Sequence, residues 1–351
     1  MIMLEKWHNH QPETFVCINK WQQTPDTVTI ELQPQVGAKA IDFKPGQFVS
    51  LGIHIGDELL FRAYSISSTP LQSTLELTIK RVDGGKVSTY LVNTLTIGDK
   101  VQLLKPTGEF NCVDHPPENQ SVLLISAGCG ITPVYSMAKY WLEHNANIDI
   151  CFIHVAKSAP QTLFLDQLIQ LDHDHHHFNL QLLLKDKANT EFHQGRLDKI
   201  WLEQLTPNLH QRTVYLCGPE GFMEDVSQYL QQLEFNMAQF FQESFTPIAA
   251  PVAEVTTLTA ETATTELTLT VPAFGKTVTV NHGDNLATAL ENAGLPILVA
   301  CRSGVCGSCR CKVTPNSVNS SSDMTLTAAD IEQGYVLACS STLLDSTDVS
   351  F

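Results

Sequence analysis

The sequence predicts a multidomain chain: an antiparallel β-barrel, an α/β domain on a parallel sheet, and a small cysteine-rich module. Three observations predict it. The apolar pattern changes from alternating to continuous near residue 120, five of the ten cysteines crowd the last fifth of the chain, and a Pro-Ala-Thr segment precedes them. The length agrees, because 351 residues at 43% hydrophobic exceed one ordinary core and suit two or three. Lys and Arg total 21 against 37 Asp and Glu, a net charge of −16. So acidic a surface repels phosphate backbones, which excludes generic nucleic-acid binding. No apolar run is long enough to span a bilayer. The start, Met1 to His10, lacks the apolar core and cleavage site of a secretion signal. A cytoplasmic location follows as the expectation, with reduced thiols and hence metal or redox chemistry for the cysteines.

The barrel is expected over residues 10–115. In Leu75-Glu-Leu-Thr-Ile-Lys-Arg81, Leu75, Leu77 and Ile79 share one face while Glu76, Thr78 and Lys80 share the other, the period of a half-buried strand. Lys44-Pro-Gly46, Asp83-Gly-Gly85 and Gly98-Asp99 separate such runs as turns. One strand carries Arg62-Ala-Tyr-Ser65, with Arg62 and Tyr64 on one face and Ser65 on the other. Guanidinium beside an aromatic suits a ligand with a phosphate and a flat ring; an ordinary barrel strand is the alternative. Downstream of Lys80, the loop Gly85-Lys86-Val-Ser88 opens into a helix, whose N-terminal N–H groups favour an anion. Lys80, Gly85, Lys86 and Ser88 join Arg62, Tyr64 and Ser65 as candidate binding residues.

The α/β domain is expected over 118–245. Ser121 to Ser126 is a continuous apolar strand, and Ile148–Val155, Leu180–Leu184 and Thr213–Cys217 repeat it, with helices reaching Trp141 and spanning Glu220–Leu233. After the first strand comes Gly128-Cys-Gly130-Ile-Thr132-Pro133, where two glycines let backbone approach a diphosphate. Cys217-Gly218-Pro219 ends a later strand, and carboxyl ends of parallel strands border the ligand crevice. A simply buried thiol is the alternative for Cys217.

Residues 246–265, TPIAAPVAEVTTLTAETATT, hold no glycine, aromatic or basic residue and suit a semi-extended linker, an edge strand being the alternative. Residues 266–351 then carry Cys301-x4-Cys306-x2-Cys309 with Cys339 thirty positions on, the plant-type ferredoxin spacing for a [2Fe–2S] cluster. Ser303, Gly304, Gly307 and Ser308 let the loop wrap closely and point N–H groups at sulfur. Zinc fits less well, since it usually takes paired CxxC units. Cys311 reads as a packed residue, as do Cys112 and Cys151. The run Asp172-His-Asp-His-His-His177 reads as a solvated loop, and His8 and His10 as a frayed tail.

In this order the motifs resemble the ferredoxin–NADP reductase superfamily with a fused C-terminal plant-type ferredoxin. Arg62-Ala-Tyr-Ser-Ile-Ser-Ser-Thr-Pro70, Ala127-Gly-Cys-Gly-Ile-Thr-Pro133, the cysteine loop, Met324-Thr-Leu-Thr and Gly334-Tyr-Val-Leu-Ala-Cys-Ser340 resemble the NADH oxidoreductases that reduce hybrid-cluster protein. The resemblance implies a flavin-binding barrel, a nucleotide domain and a β-grasp ferredoxin. It implies that Arg62 contacts flavin phosphates, Tyr64 stacks on the isoalloxazine and Ser65 sits near N5. Cys217 would lie beside the nicotinamide, with Glu243 of the Glu243-Ser-Phe245 ending closing the site and Phe245 covering the flavin ring. FAD, with NADH as co-substrate and a protein acceptor, follows from the family. Departures occur at Lys157, where relatives often carry Arg, and Gln161, where they carry an acidic residue. The implied chemistry is hydride transfer to the flavin followed by single-electron transfer to the cluster. Residues 264–351 hold eight acidic and four basic side chains, so the acceptor's docking face is expected to be basic. The competing readings are an oxygenase reductase with the same engine, and a non-catalytic redox sensor.

Overall fold

Alternating strands with one apolar face bury it most simply by closing on themselves. In the computed structural model, which describes residues 11–35, 41–70, 72–144, 147–245, 266–302 and 304–351, the first six strands do this. They are β1 (Glu13–Thr24), β2 (Thr27–Pro34), β3 (Phe48–Ile55), β4 (Glu58–Ser65), β5 (Leu75–Lys80) and β6 (Lys100–Leu103). The antiparallel order is β4-β3-β6-β1-β2-β5, and an Ile66–Leu77 bridge brings its two ends together. Leu75, Leu77 and Ile79 are fully buried inside with Ile30, Leu32 and Leu51. Helix α1 (Lys86–Asn93) packs Val87 and Leu91 into the same core. Lys20 Nζ donates to the carbonyls of Val92 (2.8 Å) and Leu95 (2.7 Å), placing a cation on the helix's unpaired C-terminal end.

The next segment supplies β7 (Ser121–Ala127), α2 (Ile131–His144), β8 (Asp149–Ala156), α3 (Leu165–Asp174), β9 (Phe178–Leu184), β10 (His193–Gln194), α4 (Lys199–Leu205), β11 (Thr213–Gly218), α5 (Glu220–Gln232) and β12 (Phe240–Ser244). All strand pairs are parallel, in the order β10-β9-β8-β7-β11-β12. Helices α2 and α3 cover one face and α4 and α5 the other. The chain winds from β7 out to β10 and then returns to β11 on β7's other side. That reversal makes a crevice at the carboxyl ends of β7 and β11. Barrel and sheet meet directly: Ser136 Oγ on α2 donates to the Ser68 carbonyl at 2.6 Å. Gly46 (φ +106°) lies so close to Phe110 that a Cβ would come within 2.3 Å of its carbonyl oxygen. The His-rich run closes α3 and the loop after it, with His173 mostly exposed and bonded to Asp174.

A second unit begins after Phe245. Its strands are β13 (Glu266–Val271), β14 (Lys276–Asn281), β15 (Arg310–Val313), β16 (Val318–Ser320), β17 (Tyr335–Leu337), β18 (Ser341–Leu343) and β19 (Thr347–Ser350), with helices α6 (Leu286–Asn292) and α7 (Ala328–Glu332). The five-stranded sheet runs β14-β13-β19-β15-β17, parallel only between β13 and β19. Leu286, Ala287 and Leu290 of α6 are buried on it, the β-grasp arrangement. The linker expected at 246–265, the N-terminal stretch with His8 and His10, and Ser303 lie outside the described residues. Among the described residues no helix is long and apolar enough to cross a membrane.

Candidate functional site

The flavin candidates follow the pleat of β4. Tyr64 is half-buried against the barrel core, and burial holds its phenol well above the usual range. Arg62 is exposed, and its Nη1 donates to the Phe61 carbonyl (2.6 Å). Ser65 is turned inward, and its Oγ is buried without a partner among the described residues. An orphaned hydroxyl beside an aromatic and a guanidinium fits a ring-and-phosphate ligand with a hydrogen-bonding edge. Ser88 stands in the first turn of α1, at the helix start as expected. Its hydroxyl accepts from Val82 N–H (3.1 Å), bracing the loop, so only backbone N–H groups of the α1 N-terminus are left for an anion. Gly85 is the N-cap of α1 and Lys86 ion-pairs loosely with Glu58 (3.6 Å) at the surface. Lys80 pairs with Asp26 (3.5 Å), and both charges act on the Cys129 thiol, so β5 ends beside the glycine turn of the next domain.

That turn borders the crevice. Gly128 has φ +55° with open space where a Cβ would stand, whereas a Cβ on Gly130 would come within 2.2 Å of the Cys217 carbonyl oxygen. Gly128 thus supplies a left-handed turn facing empty volume, and Gly130 the backbone contact between β7 and β11. Thr132 is buried and its hydroxyl donates to the Cys129 carbonyl (3.0 Å); Pro133 lies in the first turn of α2. Cys217 is fully buried, Gly218 packs against Phe222, and Pro219 is the N-cap of α5. Glu243 of β12 is the register partner of Cys217. Its Oε2 is shut off from solvent without a partner among the described residues, and burial pushes the carboxyl up to about 8. Burial first, and Glu243 second, drive the Cys217 thiol well above its usual range. Phe245, two residues on, leaves about half its surface exposed (48%). The structure thus gathers Lys80, Gly128, Gly130, Cys217, Gly218 and Glu243 about one crevice. The sequence reading missed His154 and Ser126, a fully buried hydrogen-bonded pair in the same sheet. The signal was available: single polar residues in apolar strands of a parallel sheet.

In the second unit, the thiols of Cys301, Cys306, Cys309 and Cys339 are close enough to act on one another, Cys301 on Cys306 and Cys339, and Cys309 on Cys339. Backbone N–H groups point at sulfur: Gly304 at Cys339 (3.2 Å), Val305 at Cys301 (3.5 Å) and Cys339 at Cys309 (3.4 Å). Gly304 and Gly307 both have φ +72°, and a Cβ there would press to 2.7 Å on Ser322 or 2.8 Å on Thr325. Among the described residues no three His, Cys, Asp or Glu side chains are drawn together as a one-ion site. A two-iron cluster needs thiols spread over two metal positions, and the pairs Cys301–Cys306 and Cys309–Cys339 suit that. Four thiols this close cannot all ionise without a counter-charge, which iron supplies. Cys311 is fully buried in the module's core, as a packed residue. Beside Cys309, Arg310 stacks on Tyr335 (3.7 Å) and pairs with Asp330 of α7.

A flavin barrel, a pyridine-nucleotide crevice and a four-thiol loop in one chain define a flavin- and iron–sulfur-dependent reductase. Three family models cover it in that order: an oxidoreductase FAD-binding domain (15–112), an oxidoreductase NAD-binding domain (124–228) and a 2Fe-2S iron-sulfur cluster binding domain (270–344). The glycine betaine monooxygenase reductase subunit of Pseudomonas aeruginosa is 34% identical over 85% of this chain and 84% of its own. The NADH oxidoreductase HCR of Escherichia coli K12 is 34% identical over 91% of both. The solved phthalate dioxygenase reductase shares the fold at a TM-score of 0.65 and 19% identity, over 97% of this chain and 98% of that one. The chain belongs to the ferredoxin–NADP reductase superfamily with a fused C-terminal [2Fe–2S] ferredoxin. It is an NADH-dependent oxidoreductase that uses FAD and a [2Fe–2S] cluster.

Proposed function

We propose that this reductase passes electrons from NADH to a hybrid-cluster protein. The observation that carries this reading is the 34% match to NADH oxidoreductase HCR, which runs through all three modules and 91% of both chains. Bound flavin would take electrons from the nicotinamide in pairs and give them to the cluster singly. The chain's own residues bind and orient. Tyr64 offers a ring face, Arg62 and the α1 N-terminus with Gly85, Lys86 and Ser88 offer charge and N–H groups for phosphates, and Ser65 offers its unpaired hydroxyl to the ring edge. Gly128 and Gly130 admit the diphosphate, with Lys80, Thr132 and Pro133 shaping that wall. Cys217, Gly218 and Pro219 line the nicotinamide end, where Glu243 holds a proton. Cys301, Cys306, Cys309 and Cys339 hold the cluster. The division 10–115, 118–245, 246–265 and 266–351 assigns one task to each part and the linker to 246–265.

Stopped-flow mixing of the NADH-reduced protein with purified acceptors tests the assignment. Hybrid-cluster protein should be reduced at catalytic rates, and a terminal oxygenase component at least about tenfold more slowly. The reverse order supports the second reading, an oxygenase reductase, which the equally identical glycine betaine relative favours.

A further inference from the structure

One layer across the nucleotide sheet is polar. Glu243 on β12, Cys217 on β11, Ser126 on β7 and His154 on β8 are successive register partners. Parallel register puts their side chains on one face of the sheet, at roughly 4.8 Å from strand to strand. The next layer on that face is Leu124, Phe152 and Tyr215, and the row itself stops at Leu182 on β9. Ser126 and His154 are both fully buried, with Nδ1 2.8 Å from Oγ. The imidazole Nε2 has no partner among the described residues. Burial holds the ring neutral, its pKa brought down to about 3.

A neutral imidazole carries one N–H. Placed on Nε2, it would be a stranded donor in apolar packing. Placed on Nδ1, it donates to Ser126 and strands only a lone pair, the milder penalty. Ser126 then accepts from His154 and keeps its own proton to give. Its neighbour on the side away from His154 is Cys217.

We propose that His154 is a positioning residue for hydride transfer: its Nδ1–H, bonded to Ser126, turns the serine proton toward the Cys217 sulfur, leaving the thiol proton to face Glu243 and the crevice. No proton or electron changes owner; the array sets direction. The inference rests on the reading that Cys217 and Glu243 border the nicotinamide. Two neighbouring β-strand ends, β7 and β8, thereby take part in orienting groups on β11 and β12.

The test is stopped-flow flavin reduction by NADH in the holoenzyme, with steady-state kcat and KM against ferricyanide. His154→Leu should slow hydride transfer by about tenfold with KM for NADH little changed. His154→Asn, whose amide nitrogen replaces Nδ1, should restore the rate to within about threefold of the natural protein. The double variant His154→Leu/Ser126→Ala should be no slower than Ser126→Ala alone, because the histidine acts through the serine. An unchanged rate in His154→Leu, no rescue by Asn, or multiplying effects in the double variant overturns the proposal. Should His154→Leu fail to fold with FAD, Ser126→Ala against Ser126→Thr decides: slow Ala with restored Thr supports it, equal rates overturn it. Cys217→Ala separates the two levels. If it leaves hydride transfer intact, the nicotinamide reading itself falls; if it slows transfer while the His154 variants do not, only this inference falls.

Discussion

The nucleotide crevice and the cysteine loop are built on opposite principles. Cys217 sits in β11, a strand hydrogen-bonded on both sides, by β7 and β12. Its position is set by backbone pairing and a buried core, whether or not a ligand is present. The loop from Cys301 to Cys309 has no such frame. It turns through left-handed backbone at Arg302 (φ 59°), Gly304 (φ 72°) and Gly307 (φ 72°), and is flanked by strands of only three or four residues. A sheet preorganises the first site. A bound metal would complete the second: backbone N–H groups aim at three of the sulfurs, but the thiols repel once ionised unless iron supplies counter-charge.

The largest expected effect comes from Cys309→Ser or Cys339→Ser. Either should abolish the cluster's visible and spin-resonance signals and cooperative unfolding of the C-terminal unit, while ferricyanide reduction by the flavin survives. Loss of both activities together would erase the contrast. Next is Gly130→Ala, whose new methyl meets the Cys217 carbonyl at 2.2 Å. Backbone cannot yield as a side-chain tip can, so we expect roughly 3 kcal/mol of lost stability and loss of NADH binding, read from urea midpoints and titration.

Glu243 gives a smaller effect with a defined sign. The folded carboxyl titrates at about 8, against an ordinary value of 4.5. Between those values the folded state holds a proton that the unfolded chain has released, so stability falls as pH rises through that window. Glu243→Gln should remove that slope, gaining on the order of 4 kcal/mol at pH 8.5 relative to pH 5 by chemical denaturation. A parallel pH dependence in natural and variant proteins would show that the carboxyl is not held protonated by burial. The smallest effect belongs to Lys44→Ala, which breaks an exposed pair with Asp114. It should cost below about 1 kcal/mol and leave the crevice unaffected.

The same contrast governs what could be read from the sequence. The cysteine loop was legible because its geometry is carried by spacing along the chain: four thiols, glycines at the turns, one distant ligand. The barrel strands and the glycine turn were legible for similar local reasons. The polar layer was legible only as single polar residues in apolar strands; that they form one array was not, because Ser126 and His154 lie 28 positions apart and meet only through strand register. Ser88 shows a subtler limit. Its place at a helix start was correct, but which way its hydroxyl turned depended on Val82 offering an N–H. The pairing that joins the barrel's two ends, the Ile66–Leu77 bridge with the Ser67 and Ser68 bonds to Glu76, is likewise one that no periodicity announces.

The hydroxyl of Ser136 grips the chain just beyond the barrel's Arg-Ala-Tyr-Ser segment. An engineer grafting this reductase onto a new ferredoxin should therefore move both lobes as one cassette. Chimaeras cut between the barrel and the α/β lobe would inherit a mismatched seam, with a buried hydroxyl facing a stranger's backbone.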